Sequence, residues 1–215
     1  MCGVLYFKGD SRKHKELIVN LLQQSRVRGL HAFGVSLRPT PEDDFQTIRT
    51  FNLPEAEQYI MENQFCELIG HCRYDTSGDW RILENNQPIV IGNSILAFNG
   101  VVRMSTREEY QQEFQQEYVT ENDGEIPLRM FGEEDTSPAF TLLREERVSF
   151  AGVAYVNGRA FAVRNERRPL WMATIEKSKF IFSTIDIWNR AVFSLGQPLV
   201  IQTRQLKPLE VVWLS

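Results

Sequence analysis

The stretch from Val148 to Arg164 constrains the fold more than any other part of the chain. Two apolar runs, Val148 to Val156 and Ala160 to Arg164, flank the pair Asn157–Gly158. Asn-Gly between two such runs specifies a tight hairpin, because both central residues accept the positive φ that the turn needs. Other β-leaning segments lie at 2–8, 30–37, 45–52, 66–74 and 87–98, and at about 179–184, 198–203 and 210–214. Helical patterns occupy 12–27, where Leu17, Ile18, Leu21 and Leu22 share a face, and Pro54 to about 63. A very polar helix is expected at 106–119, two more at 123–132 and 137–146, and a short one between the strands near 184 and 198. Strand runs and helix runs are grouped rather than alternating. That pattern favours an α+β layered fold over a doubly wound parallel sheet.

Size and composition fit one domain. The chain has 215 residues, 42% of them hydrophobic, enough for a continuous core. No repeat or linker divides it, so residues 1–215 read as a single unit. The net charge of −4 comes without a basic stripe, which gives no footprint for nucleic acid. No stretch has the length or apolarity of a membrane span, and the N-terminus lacks the pattern of a signal peptide. The three cysteines, Cys2, Cys66 and Cys72, form neither a disulfide framework nor a metal motif. A reducing cytoplasm is the expected compartment; no metal or cofactor is expected. Cys66 and Cys72 read as small core residues.

Cys2 has a chemical reading of its own. Methionine aminopeptidase removes Met1 when the second side chain is small. The chain would then begin with a thiol and a free α-amine on one residue. An α-amine has a pKa of roughly 7.7–8.0, so it is partly neutral at pH 7 and able to take the thiol proton without a histidine. By itself, a cysteine in a first strand is more often an inert core residue.

Further segments follow in order. They are Arg28-Gly29-Leu30-His31-Ala32-Phe33-Gly34, Gly70-His71-Cys72-Arg73-Tyr74-Asp75-Thr76-Ser77-Gly78, Asn86-Gln87-Pro88, Phe98-Asn99-Gly100 and Asn122-Asp123-Gly124-Glu125. Arg168-Pro169-Leu170 and Leu206-Lys207-Pro208-Leu209-Glu210-Val211 come late in the chain. Together with Cys2, this series resembles the glutaminase domain of class II glutamine amidotransferases. The family's corresponding elements are Arg-Gly-x-Asp-x-x-Gly, Gly-His-Thr-Arg-Tyr/Trp-x-Thr, Asn-x-Gln-Pro, His-Asn-Gly, Ser/Thr-Asp-Ser/Thr-Glu, Arg-Pro-Leu and Pro-Gly-Glu. The resemblance spans nearly the whole chain. It implies the four-layer αββα sandwich of the N-terminal-nucleophile (Ntn) hydrolases, with Cys2 at the start of a central strand and the polar helix at 106–119 outside.

The resemblance also implies the site. Cys2 is the nucleophile. The Asn99 side-chain amide and the Gly100 N–H form the oxyanion hole, although an ordinary Asn-Gly turn also fits. Arg73 grips the α-carboxylate of L-glutamine, as a guanidinium can do with two parallel hydrogen bonds, where the alternative is a surface ion pair. Asp123 holds the α-ammonium, or caps a helix at 125, or does both. Thr76 supplies backbone or hydroxyl contacts to the bound amino acid, or is plain loop. Arg28 and Gly29 shape the wall beside the Cys2 amine, and a helix C-cap explains them almost equally.

Four positions depart from the pattern: His31 stands for Asp, Cys72 for Thr or Val, Phe98 for His and Gly124 for Ser or Thr. The resemblance ends near Val211, which implies that ammonia passes to a separate acceptor synthetase subunit. A free-standing amidohydrolase cleaving another γ-glutamyl or glutamine-like amide and a non-catalytic interaction module are the alternatives.

Overall fold

The computed structural model describes residues 1–196 and 201–214. In chain order the elements are β1 (Gly3–Lys8), α1 (Lys15–Ser25), β2 (Ala32–Arg38), β3 (Gln46–Thr50), α2 (Leu53–Glu62), β4 (Glu67–Arg73), β5 (Ile89–Ile91) and β6 (Ser94–Val101). There follow α3 (Arg107–Phe114), α4 (Glu125–Gly132), α5 (Ser137–Arg144), β7 (Ser149–Val156), β8 (Arg159–Arg164), β9 (Trp171–Ile175), β10 (Ser178–Phe182), α6 (Ile185–Ser194), β11 (Gln202–Gln205) and β12 (Val212–Trp213).

Among the described residues the strands form two sheets, ordered β11-β9-β10-β1-β4-β2-β3 and β12-β8-β7-β6-β5. Every pairing is antiparallel. The central strand β1 explains the layering. Side chains alternate across a strand, so Leu5 and Phe7 point one way and Val4 and Tyr6 the other. Leu5 and Phe7 join a core with Leu17, Leu21, Ile60 and Trp188 of α1, α2 and α6. Val4 and Tyr6 pack between the sheets with Ile69, Ala97, Ala151, Val153 and Ala162. The other face of the second sheet carries Leu96, Phe98, Phe150 and Phe161 against Ile126, Leu128, Phe131 and Leu142 of α4 and α5. The result is a helix–sheet–sheet–helix sandwich, as the resemblance implies. A strand buried on both faces has no reason to alternate apolar with polar, and β1 and β7 do not.

The hairpin at 157–158 forms as the sequence predicts, with φ of 50° and 76°. Other elements differ in detail. The β-leaning stretch 87–98 is two strands, β5 and β6, joined by a turn at Gly92 (φ 56°) that apolar flanks conceal. Strand β9 was not expected; it forms a hairpin with β10 around Glu176, at φ 54°. The polar helix is shorter than 106–119. A capping box between Thr106 and Glu109 starts it, and left-handed Gln115 (φ 50°) ends it. It lies outside, with Tyr110 as its buried anchor. The expected helix at 12–27 is α1 between two short 3-10 turns, Ser11–Lys13 and Arg26–Arg28. The strand expected at about 198–203 begins outside the described residues; β11 starts at Gln202. Among the described residues no helix is long and apolar enough to cross a membrane.

Candidate active site

The two sheets place three strand ends at one point. β4 lies beside β1 in the first sheet, with Gly3 opposite Cys72, so Cys2 sits next to Arg73 and Tyr74. β6 faces them from the second sheet. The Cys2 N–H donates to Asn99 Oδ1 at 2.9 Å. The Cys2 thiol donates to the Tyr74 carbonyl at 3.3 Å, and the Tyr74 N–H approaches the same sulfur at 3.4 Å. Arg28 Nε donates to the Cys2 carbonyl at 2.8 Å. Cys2 is 5% exposed. Burial pushes its thiol pKa up, and the Tyr74 N–H, the chain's amino terminus, Arg73 and Arg28 pull it down. Asn99 Nδ2 is buried and has no hydrogen-bond partner among the described residues. A buried amide donor left unpaired carries a desolvation cost of about 1–3 kcal/mol, which a ligand oxygen would relieve.

Asn99 and Gly100 lie inside β6, opposite Ala151 and Phe150. They are not the ordinary turn that Asn157–Gly158 is. Gly29 does cap the 3-10 turn Arg26–Arg28, its N–H donating to the Arg26 carbonyl, but in an extended conformation (φ −164°) that does not itself require glycine. It is glycine because a Cβ there would lie 2.3 Å from the Arg73 carbonyl carbon. Close backbone approach at Gly29 fixes the 26–31 segment against Arg73 and Tyr74, and the His31 N–H donates to the Arg73 carbonyl at 3.0 Å.

Arg73 and Asp123 are both buried. Arg73 Nη1 donates to the Asn85 carbonyl and to Asn86 Oδ1 at 2.8 Å. Its Nη2 donates to Asp75 Oδ1 at 2.9 Å, to the Ser77 carbonyl and to the Gly78 carbonyl at 2.8 Å. This excludes a surface ion pair. Asp123 Oδ2 accepts the N–H groups of Val102 and Arg103 at 2.6 and 2.9 Å, and Ser77 Oγ donates to Oδ1 at 2.8 Å. Burial raises the Asp123 pKa, and these hydrogen bonds and Arg73 lower it. Asp123 does not cap α4: the cap position is Gly124, with no side-chain hydrogen bond. Thr76 is exposed and lines a cavity of about 480 Å³ with Ser77, Gly78, Met104 and Glu121. No hydrogen bond joins its side chain to Cys2, Arg73 or Asp123 among the described residues, so a side-chain contact from Thr76 is not preformed.

Several supporting residues had no role assigned from sequence. Asn86 holds Arg73 through Oδ1 while its Nδ2 donates to the Trp80 carbonyl at 2.7 Å. Asn122 Nδ2 donates to the Asn85 carbonyl at 2.9 Å, tying the Asp123 loop to the Arg73 loop. The Asn-Gln-Pro and Asn-Asp-Gly-Glu matches carried that signal without saying what the amides bind. His71 Nε2 meets the Phe98 carbonyl at 3.1 Å and so links the sheets one residue before Asn99. Burial drives the His71 pKa down to about 3, so the ring is neutral at ordinary pH. His31 Nδ1 accepts the Asp75 N–H at 3.0 Å, and its ring stacks on Tyr74 and Trp80. Burial raises the thiol pKa of Cys72, which packs in the core, and of Cys66, which is only half-buried, contrary to its core reading.

Two of the four sequence departures are one steric event. A Cβ on Gly124 would lie 2.1 Å from Phe98 Cε1 and 2.8 Å from Ile89 Cδ1. The Phe98 ring, stacked on Phe150, therefore requires glycine at 124. Gly124→Ser is expected to destabilise the fold by about 1–3 kcal/mol, the range for overpacked cores. Phe98→Ala in the same chain should recover part of that loss, because the two sites share one volume. Urea denaturation of both single variants and the double variant measures the coupling; additive costs would refute it.

Comparison with protein-family models and with curated proteins gives no match. Solved structures do match. Glutamine phosphoribosylpyrophosphate amidotransferase from B. subtilis, complexed with ADP and GMP, superposes with a TM-score of 0.72 at 17% identity over 96% of this chain. An allosteric regulatory enzyme of purine biosynthesis gives 0.72 at 20% identity over 96%. The chain spans 46% and 45% of those two chains. A glutamine aminotransferase class-II domain protein from Silicibacter pomeroyi gives 0.54 at 12% identity, over the full length of both chains. At these identities the likeness is one of architecture, and two antiparallel sheets between helical layers make this chain an Ntn-hydrolase fold of the kind seen in the class II glutamine amidotransferases.

Proposed function

We propose that this chain is a class II glutamine amidotransferase domain that hydrolyses the side-chain amide of L-glutamine through Cys2. One observation carries the reading. Asn99 accepts the Cys2 N–H with its oxygen and keeps its Nδ2 donor buried and unpaired. An amide anchored to the nucleophile residue, with a spare donor, is what an oxyanion hole requires.

The chemistry follows from the neighbours of Cys2. With Met1 attached, the Cys2 nitrogen is a peptide N–H and has no basicity. Met1 is 58% exposed, which leaves it open to an aminopeptidase. Its removal turns that nitrogen into an α-amine able to take the thiol proton. The thiolate attacks the glutamine side-chain carbonyl carbon. Asn99 Nδ2 and the Gly100 N–H receive the oxyanion. The C–N bond breaks and ammonia leaves after taking up the proton held by the amine. Water then hydrolyses the thioester, giving glutamate and the free thiol. Arg28 fixes the Cys2 carbonyl, and Gly29 lets that wall approach.

Arg73 takes the α-carboxylate of glutamine and Asp123 its α-ammonium; Thr76 borders the head group through its backbone. Such contacts are equal in ground and transition states, so they act on KM. Arg73→Ala and Asp123→Ala are expected to raise KM for glutamine roughly ten- to hundredfold, the scale of one lost charge-assisted pair, with kcat much less affected. Steady-state glutamate release checks this, and a kcat loss at unchanged KM would remove both residues from the head-group site.

The acceptor of the ammonia is a separate synthetase subunit docked over the mouth. Support comes from the segments beside Cys2 and Arg73, which expose Val27, Leu30 and Tyr74 at 65%, 64% and 51%. A partner docked on these segments would bury the apolar area that they expose. The same release assay, run with and without a co-purifying partner, is expected to show a weak glutaminase that the partner stimulates. Free thiols at Cys2, Cys66 and Cys72 suit a reducing cytoplasm.

A further inference from the structure

The head-group site described above is already filled, by the chain itself. Arg73 is buried, and a guanidinium at 3% side-chain exposure needs a counter-charge. Asp75 supplies it, with one carboxylate oxygen 2.9 Å from Nη2. The Ser77 and Gly78 carbonyls complete the coordination of that nitrogen. Two residues along, the Ser77 hydroxyl donates to Asp123 Oδ1 at 2.8 Å. The segment 75–78 thus sets a carboxylate on Arg73 and a donor on Asp123. A free amino acid presents the same pair of groups, a carboxylate and an ammonium, to the same two residues. His31 steadies the segment by accepting the Asp75 N–H at 3.0 Å.

We propose that Asp75, with Ser77, is an internal competitor for the amino-acid head group, so that glutamine binds by exchange with this segment. The inference rests on the glutamine reading of Arg73 and Asp123. The Asp75 side chain is 32% exposed, so its carboxylate can move into water while the substrate carboxylate replaces it on Arg73. Charge on Arg73 stays balanced throughout. At Asp123 a neutral hydroxyl gives way to an ammonium, which makes the stronger, charge-assisted hydrogen bond. The apparent affinity is the intrinsic affinity scaled by the fraction of chains whose segment has withdrawn. A chain in which the segment is mostly seated is a weak binder, and any partner that draws Asp75 away from Arg73 raises affinity without touching Cys2.

The test uses two thiol reagents on the full processed chain. 6-Diazo-5-oxo-L-norleucine carries the amino-acid head group; iodoacetamide does not. Pseudo-first-order labelling of Cys2 is followed by peptide mass spectrometry at subsaturating reagent. Asp75→Ala and the shape-conserving Asp75→Asn are each expected to accelerate labelling by the head-group reagent roughly tenfold, equivalent to about 1.4 kcal/mol of released competition. Iodoacetamide labelling should stay unchanged. If both variants label at the parent rate or slower, while Arg73→Ala abolishes the advantage of the head-group reagent, the competitor proposal is overturned and the glutamine site stands. If the head-group reagent has no advantage over iodoacetamide in parent or variants, the glutamine reading falls and the inference with it. Equal acceleration by both reagents would mean that the substitution merely opens the site, which also overturns the competitor.

Discussion

Replacing Cys2 by alanine is expected to lower glutamine hydrolysis by about 10⁴-fold or more, the scale on which loss of a covalent nucleophile acts in acyl-transfer enzymes. The effect should be that large because neither of the other two cysteines is placed to take over. Cys72 is fully buried, on the helix side of β4, with its thiol held protonated by burial and 3.6 Å from the Leu22 carbonyl. Cys66 lies at the far end of β1, where its N–H bonds the Arg38 carbonyl. His71, between the sheets, is neutral and committed to the Phe98 carbonyl, and His31 Nδ1 is taken up by the Asp75 N–H. The fold should survive, since Cys2 precedes β1 and its backbone bonds to Asn99 and Arg28 need no side chain. Circular dichroism and glutamate release on the same sample separate loss of chemistry from loss of structure.

Asn99→Ala is expected to lower kcat by about 10²–10³-fold with little change in KM, the cost of one oxyanion donor. The residue has two jobs, and they can be separated. Its Oδ1 holds the Cys2 nitrogen, and its Nδ2 is the free donor. Asn99→Asp keeps an oxygen for the Cys2 nitrogen and removes the donor. Aspartate is expected to be at least as damaging to kcat as alanine. If Asn99→Asp retains near-normal kcat, Asn99 only anchors Cys2 and the oxyanion is held elsewhere.

The residues of this candidate site were legible in the sequence through the ordered motifs that carry the resemblance, and strand geometry explains why two of them meet. Once 2–8 and 66–74 are read as strands, pairing them puts the start of one beside the end of the other, and Cys2 meets Arg73. Asn99 reaches Cys2 from the other sheet, a contact that strand pairing does not give. Turns were legible where one residue type is required, as at Asn157–Gly158. They were hidden where both flanks are apolar, which is why β5 and β6 read as one segment and β9 was missed. Side-chain amides were the least legible part. Asn85, Asn86 and Asn122 hold the Arg73 and Asp123 loops together, and nothing in their spacing says which carbonyl each will reach. Nor does sequence alone show that Phe98 and Gly124 compensate one another, or that the residue two beyond Arg73 would turn back onto it. Those facts depend on distances across the sandwich, which only the packed structure supplies.

All of this chemistry depends on Cys2 working as an N-terminal nucleophile. Intact-mass and peptide mass spectrometry of the purified chain after treatment with 6-diazo-5-oxo-L-norleucine tests it most directly. The expected product is a chain lacking Met1 and carrying one adduct, on Cys2. An adduct on Cys66 or Cys72 in place of Cys2, or an adduct on Cys2 in chains that still carry Met1, would contradict it.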